Sequence, residues 1–497
     1  MRNGRIAICL LAVATLACQF LTKSLEAPAT QLPATAAPAN PSYAPTGQTS
    51  TPKALLSQNG PWIVFSESDG LYAANMDGSM ATKVFDLTPF NDLSSIAPTG
   101  GRFAIMTAND VKGRHGLTLH IFHLPDGKEE KTIPLTGPQS EPPPNLVQDD
   151  PRLFQLRYFG TSQWSPDGSQ LAFDAGIDGD NSDLYLYSTV DGRVTRLTTG
   201  SAQGEGPSWS PDGKYIVHFG IDGTTGKPIG VWATLVSNGS TSELYTPDSD
   251  GENVLGWLDG QTVVVYSFYA DCSRAWQNIR AVNVNTQKVT MLWGRPFNDN
   301  IITFDSASGA FVLEVGSFAS NAACPQNSPP PGTYLVTRGG KATKISDSTS
   351  GFPIWSPEAG AFFYPSGNGF AARRPDGTAL KTPPELNNSP GVSPDGKAYL
   401  WQNAQGGTDL FFNGSSQTLT DVWAETLTSY TLNPTGLAPQ IPVLWIWNQD
   451  SSGFVFASGT QLSTELYIAQ AADKFSPVAL ATMGHGNPED LLFRVSP

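Results

Sequence analysis

The sequence predicts an all-β fold, a single β-propeller of four-stranded antiparallel blades. Three observations carry this: a short turn-and-strand unit that recurs about every 45 residues, a second hairpin signal within each recurrence, and a near absence of helical periodicity.

The unit is clearest at Trp164-Ser165-Pro166-Asp167-Gly168, followed by Leu171-Ala172-Phe173, and it returns 45 residues on as Trp209-Ser210-Pro211-Asp212-Gly213, followed by Tyr215-Ile216-Val217. Each letter has a task in a tight turn. Pro presets φ, Asp binds the local backbone, and Gly enters the left-handed region at the exit into the next strand. Further copies are Trp355-Ser356-Pro357-Glu358 and Ser393-Pro394-Asp395-Gly396. Worn copies lie at Ala97-Pro98-Thr99-Gly100, Trp257-Leu258-Asp259-Gly260, Phe304 to Gly309, and Trp447-Asn448-Gln449-Asp450. The second hairpin signal is an Asx-Gly pair, at Asp77-Gly78, Asp126-Gly127, Asp191-Gly192, Asn238-Gly239, Asp376-Gly377 and Asn413-Gly414. Two hairpins make four strands per unit. One such sheet is too small to bury its own faces, so the units must stack, and radial stacking closes a ring. The tryptophans recur at one point of the unit, which places them in the core between blades rather than on a sugar-stacking surface.

The first unit starts at Trp62-Ile63-Val64-Phe65 with no turn motif ahead of it and so lacks an innermost strand. The tail from Leu491 to Val495 supplies one. Pairing the two ends of the chain in one blade would close the ring and make loss of the tail far costlier than loss of a frayed terminus. Nine units are countable with this composite one; because propellers usually carry four to eight blades, eight are expected, with seven to nine allowed.

Residues 1–18 read as a lipoprotein-type signal peptide: Arg2 and Arg5, an apolar run from Ile6 to Ala17, then Cys18 as the lipidated residue. An ordinary cleaved signal fits the same stretch. Residues 19–58 form a Pro/Ala/Thr-rich tether with nothing to build a core, and residues 59–497 form the propeller. This predicts an exported, extracytoplasmic protein attached to a bacterial membrane by its lipid alone. The net charge of −15 disfavours nucleic acid and anionic lipid surfaces as partners. Cys272 and Cys324 lie 52 residues apart, about one repeat, in equivalent loops of neighbouring blades. Export would oxidise them to a disulfide clamping two long loops; two free thiols are the alternative.

Signals for chemistry are sparse. Of the five histidines, His120 and His123 are closest in sequence among those on a strand, but positions three apart point to opposite faces and do not share a metal. There is no Gly-x-Ser-x-Gly elbow and no phosphate-cradling Gly-rich loop. Carboxylates near the central channel could assemble a site, although no spacing singles out a pair. Asp174, Asp178, Asp180 and Asp183 form an oxygen-rich loop suited to calcium, as do Asp248, Asp250, Glu252 and Asn253; solvated turns account for both equally. No other cofactor is implied. Recognition is expected in the irregular segments: 137–160 with Tyr158 and Phe159, the stretch holding Tyr269, Cys272, Arg274 and Trp276, and the segment from Phe318 through Cys324 to Pro331. Aromatics with Arg are the composition of interface hot spots.

The Trp-Ser-Pro-Asp-Gly turn, its apolar triplet, and a Leu-Tyr pair before Asp-Gly resemble the repeats of the TolB-like (WD40-like) propeller family over roughly residues 60–497. The resemblance implies a propeller that binds other proteins in the cell envelope. TolB itself has an additional N-terminal α/β domain where this chain has its tether, so TolB's partners are not carried over. The expected function is a non-catalytic, lipid-anchored scaffold for an envelope protein or peptide. The alternatives are an envelope receptor for carbohydrate or other small ligands, and a carboxylate-based glycan hydrolase or lyase.

Overall fold

In the Trp164 unit, Ser165 Oγ donates to Asp167 Oδ1 (2.6 Å), the Gln170 amide donates to Ser165 Oγ (2.9 Å), and the Gly168 amide donates to the Ser165 carbonyl (2.8 Å), with Gly168 at φ 68°. The Ser210/Asp212 and Ser393/Asp395 turns repeat this net, with 2.7 Å between Oγ and Oδ1 in both. The motif aspartates are therefore turn residues, as their chemistry predicts.

The computed structural model of the chain describes residues 56–497, except 68, 87–89, 110–114, 143–161, 180, 200–202, 223–224, 226, 270–274, 298–301, 317–328, 349–351, 389, 404–406, 421–444, 461–462 and 484–491. Among the described residues, nine four-stranded antiparallel sheets form, each a meander in chain order. The blade count is therefore nine, not eight, at the top of the expected range. Even the worn units make complete sheets, because strand pairing uses backbone groups and a turn that has lost its Pro or Gly still reverses the chain.

Blade 1 is the composite predicted from sequence. Leu492–Val495 pairs antiparallel with Trp62–Glu67, in the register Trp62↔Val495 to Phe65↔Leu492, inside Gly70–Asn75 and Thr82–Phe85. The cores confirm closure. Blade 1 packs on blade 2 through Val64, Phe103 and Val495, and on blade 9 through Ile63, Leu492 and Trp447, with Leu400 of blade 8 joining the same cluster. Equivalent clusters fill every other interface, from Met106 and Phe173 between blades 2 and 3 to Phe363 and Trp401 between blades 7 and 8.

The recurrent indoles lie in these interfaces. Trp209 Nε1 donates to the Gln163 carbonyl (2.9 Å), Trp257 Nε1 to Ser208 Oγ (2.9 Å) and Trp447 Nε1 to the Gly391 carbonyl (3.4 Å). Each reaches back to the innermost strand of the preceding blade. One side chain thus supplies both apolar area and a directional bond at the interface.

Candidate functional site: the loop face of the ring

Antiparallel order within a blade decides which connections share a face. Turns joining first to second and third to fourth strands, which include the Ser-Pro-Asp-Gly and Asx-Gly turns, lie at one end of the ring. Connections joining second to third strands, and one blade to the next, lie at the other end, the loop face. The strands bounding segment 137–160, the Tyr269–Trp276 stretch and segment 318–331 place the ends of all three on the loop face. Cys272 and Cys324 fall between second and third strands of blades 5 and 6, the equivalent positions expected. Cys18, Tyr158, Phe159, Cys272, Arg274, Phe318, Cys324 and Asp180 themselves lie outside the described residues.

Two of the predicted binding residues are described. Tyr269 is half-buried; its hydroxyl donates to Asp248 Oδ1 (2.8 Å) and accepts from Asn278 Nδ2 (2.9 Å). Trp276 requires a correction. It is only 6% exposed, with its ring 4.7 Å from Tyr266 and 5.3 Å from Phe268. At the base of a hairpin it faces the core of blade 5 and offers no platform to a ligand.

The calcium reading is also corrected for the described aspartates. Asp174 pairs with Leu184 across the sheet, and Asp183 with Ala175. Successive strand residues alternate faces, so Asp174 and Asp183 point to opposite sides. Asp183 is buried, bound by Arg196 and by Thr198 Oγ1 (3.0 Å); burial pushes its pKa up, and Thr198 and Arg196 offset part of that. Asp178 is exposed beside the Tyr185 hydroxyl. No group of three or more His, Cys, Asp or Glu side chains gathers for a metal among the described residues.

The second acidic loop builds a buried charge network that sequence reading missed. Glu252 Oε1 accepts from Ser249 Oγ and Ser267 Oγ (both 2.7 Å), and Oε2 accepts from the Tyr245 hydroxyl (2.8 Å). Arg280 Nη2 is 3.6 Å from Glu252, and its guanidinium lies 5.0 Å above the Tyr245 ring. Burial raises the Glu252 pKa, and Arg280 is the largest influence pulling it back. Asp250, nearby in sequence, pairs with Lys227 at 2.7 Å. These contacts tie blades 4 and 5 together. The sequence offered Glu252 only as a calcium candidate; the signal for its partner was an Arg in an apolar strand, Ile279-Arg280-Ala281-Val282.

Two further constellations have chemical order. Glu205 sits at a bulge of the innermost strand of blade 4, where Gly206, at φ 64°, donates its amide to Asp174 Oδ2 (3.1 Å). Burial first, and then the Asp174 charge, push the Glu205 carboxyl well above its ordinary range, which favours its protonated form. In blade 2, His120 bridges Thr107 Oγ1 (3.0 Å) and Glu129 Oε1 (2.7 Å), the order of a hydroxyl–imidazole–carboxylate relay. Thr107 is 4% exposed, so this group ties three strands together instead of meeting a substrate. His123 turns away to Asp126, as the strand period requires.

The loop face also carries surface suited to recognition. Phe352, in the connection from blade 6 to blade 7, is 49% exposed. On blade 7 a cleft of about 420 Å³ opens between the Ser366–Gly369 turn and the following connection, with Asn368, Phe370, Pro384 and Glu385 in its lining. Gly369 closes its floor, where a Cβ would stand 2.7 Å from the Leu386 carbonyl oxygen.

No protein-family profile matches the chain. It is 32% identical over 243 residues to the Agrobacterium fabrum protein Atu1656, covering 47% of this chain and 71% of that protein. It is 44% identical over 121 residues to the peptidase YuxL of Bacillus subtilis, covering 24% of this chain and 16% of that protein. Among solved structures, TolB from Acinetobacter baumannii aligns at 15% identity over 57% of this chain and 63% of its own, with TM-score 0.32. A eukaryotic initiation factor aligns over 88% of this chain and 98% of its own at 11% identity and TM-score 0.51, a likeness of fold alone. The expectation of a chain with no chemistry of its own is corrected here: a relative named as a peptidase shares nearly half its residues over the matched stretch, and a catalytic role stands open.

Proposed function

Because the chain belongs to the same family as Agrobacterium fabrum Atu1656 and is a TolB-like β-propeller, we propose that it is an extracytoplasmic ring that binds a protein or peptide on its loop face. It is held to a bacterial membrane by a lipid on Cys18, and a Cys272–Cys324 disulfide joins the second-to-third-strand loops of blades 5 and 6. One observation carries the reading: topology gathers the ends of the aromatic-rich irregular segments, exposed Phe352 and the blade 7 cleft at one end of a closed ring, opposite the short repeated turns. The resemblance of the Trp-Ser-Pro-Asp-Gly repeats to those of TolB-like propellers supports the envelope setting.

A photo-crosslinking side chain at Phe352, compared with one at exposed Asn238 in a turn at the opposite end, tests the reading in intact cells. Polypeptide adducts at Phe352 that are absent at Asn238 are expected. Equal labelling, or none at Phe352, refutes it. The match to YuxL favours a second reading, in which the loop face presents peptide for hydrolysis. Cleavage of a fluorogenic peptide array by the purified chain, lost on substitution in the blade 7 cleft, would establish it.

A further inference from the structure

A second cleft, of about 250 Å³, lies between blades 6 and 7 at the end of the ring opposite the loop face. Its floor is apolar, from Leu335 and Ile345; its walls carry Lys341 and Arg373, with the Lys344 ammonium turned away to Asp347; its lip is the Asp376-Gly377 turn. Two cations from neighbouring blades at one small opening stand out in a chain whose net charge is −15.

Lys341 is exposed, and neither it nor Arg373 forms an ion pair among the described residues. Arg373 Nε donates to the Tyr364 hydroxyl (2.9 Å) and Nη1 to the Gly377 carbonyl (2.8 Å), which holds the guanidinium plane in place with no carboxylate attached. A planar donor fixed in advance loses little freedom on meeting a carboxylate. Lys344 pairs with Asp347 at 2.6 Å and takes no part in the site. The lip acid is engaged in its own turn, where Asp376 Oδ1 accepts from the Thr378 amide (2.8 Å).

We propose that this cleft binds the carboxylate side chains of an acidic polypeptide segment that also carries apolar residues for the Leu335 and Ile345 floor. The proposal rests on the polypeptide-binding reading above and adds to it a second contact at the other end of the ring. Short reach decides against an extended polyanion or an anionic membrane. Beyond a Debye length of about 8 Å the few local cations are screened, and an extended partner would also meet the acidic remainder of the surface.

The test uses the full chain and a fluorescein-labelled peptide, Gly-Asp-Leu-Asp-Glu-Leu-Glu-Gly, against its Asn/Gln counterpart, read by fluorescence anisotropy. Binding of the acidic peptide about tenfold tighter than the amide form, weakening between about 50 and 300 mM salt, is expected. Lys341→Glu, a change at an exposed and unpaired side chain, should remove that preference without moving the melting temperature; Arg373→Gln should also remove it, with some loss of stability from its bonds to Tyr364 and Gly377. Lys214→Glu, an equal charge change on blade 4, should leave it intact. Equal binding of the two peptides, or the same loss from Lys214→Glu as from Lys341→Glu, overturns the proposal. If the peptide fails while Phe352 crosslinks persist, this inference alone falls; if both fail, the polypeptide-binding reading falls too.

Discussion

Closure of the ring by Leu492–Val495 makes the most searching prediction. Leu492 and Val495 are 1% and 0% exposed, and they face different neighbours: Leu492 joins the cluster with blade 9, Val495 the cluster with blade 2. Leu492→Ala should cost about 2–5 kcal/mol through lost burial and the cavity left behind. Val495→Ala removes two carbons at about 0.8 kcal/mol each, about 2 kcal/mol once incomplete collapse is included. Because the two pack in separate clusters, their effects should add, to about 4–7 kcal/mol in the double variant. Folding free energies are commonly about 5–15 kcal/mol, so the double variant should approach the limit of folding. Urea denaturation followed by tryptophan fluorescence measures the loss, and hydrogen exchange locates it, since the Trp62–Phe65 amides should lose protection first. A frayed terminus would give less than about 0.5 kcal/mol. A double variant that close to wild type, with Trp62–Phe65 still protected, would refute ring closure through this strand.

Three other outcomes follow from buried charge. Arg280→Met strands the Glu252 carboxylate and should cost about 3–5 kcal/mol at neutral pH, with Glu252→Gln/Arg280→Met recovering much of it in chemical denaturation. His218 is buried, its Nε2 3.0 Å from Thr234 Oγ1, and burial lowers its pKa from 6.5 to about 4. The unfolded chain therefore takes up the proton first, so stability present above pH 6.5 should fall by about 3 kcal/mol as pH drops toward 4, a decline that His218→Gln flattens. Glu205 has the opposite sign: its raised pKa means the folded state holds the proton, so its contribution is full below the unfolded carboxylate range and is lost as pH rises through the folded value. Glu205→Gln should therefore gain stability over wild type in thermal melts at pH 8 and lose that advantage near pH 4.

The repeat carried most of the architecture because propeller blades are specified locally. Ser165, Asp167 and Gly168 form their turn with neighbours in sequence, Trp209 reaches only the preceding blade, and the lone strand at Trp62 lacked a partner that the tail could supply. Blade number and site were less legible. Whether a worn unit completes a sheet depends on backbone pairing that side-chain letters do not record. Trp276 carried the same letters whether exposed or buried, and its place at the hairpin base sent it inward.

What the amino-acid sequence determined alone was therefore the four-stranded unit, its turns, the indole interfaces and the seam between the chain ends, all products of short-range pattern. Tertiary structure alone decided that the ring takes nine blades, that Asp174 and Asp183 face apart, that Glu252 meets Arg280, and that Lys341 and Arg373 from different blades share a cleft. The physical reason is distance along the chain: a turn is settled by hydrogen bonds among a few consecutive residues, whereas a charged or ligand-binding site joins side chains from separate strands and blades, brought together only when the ring closes.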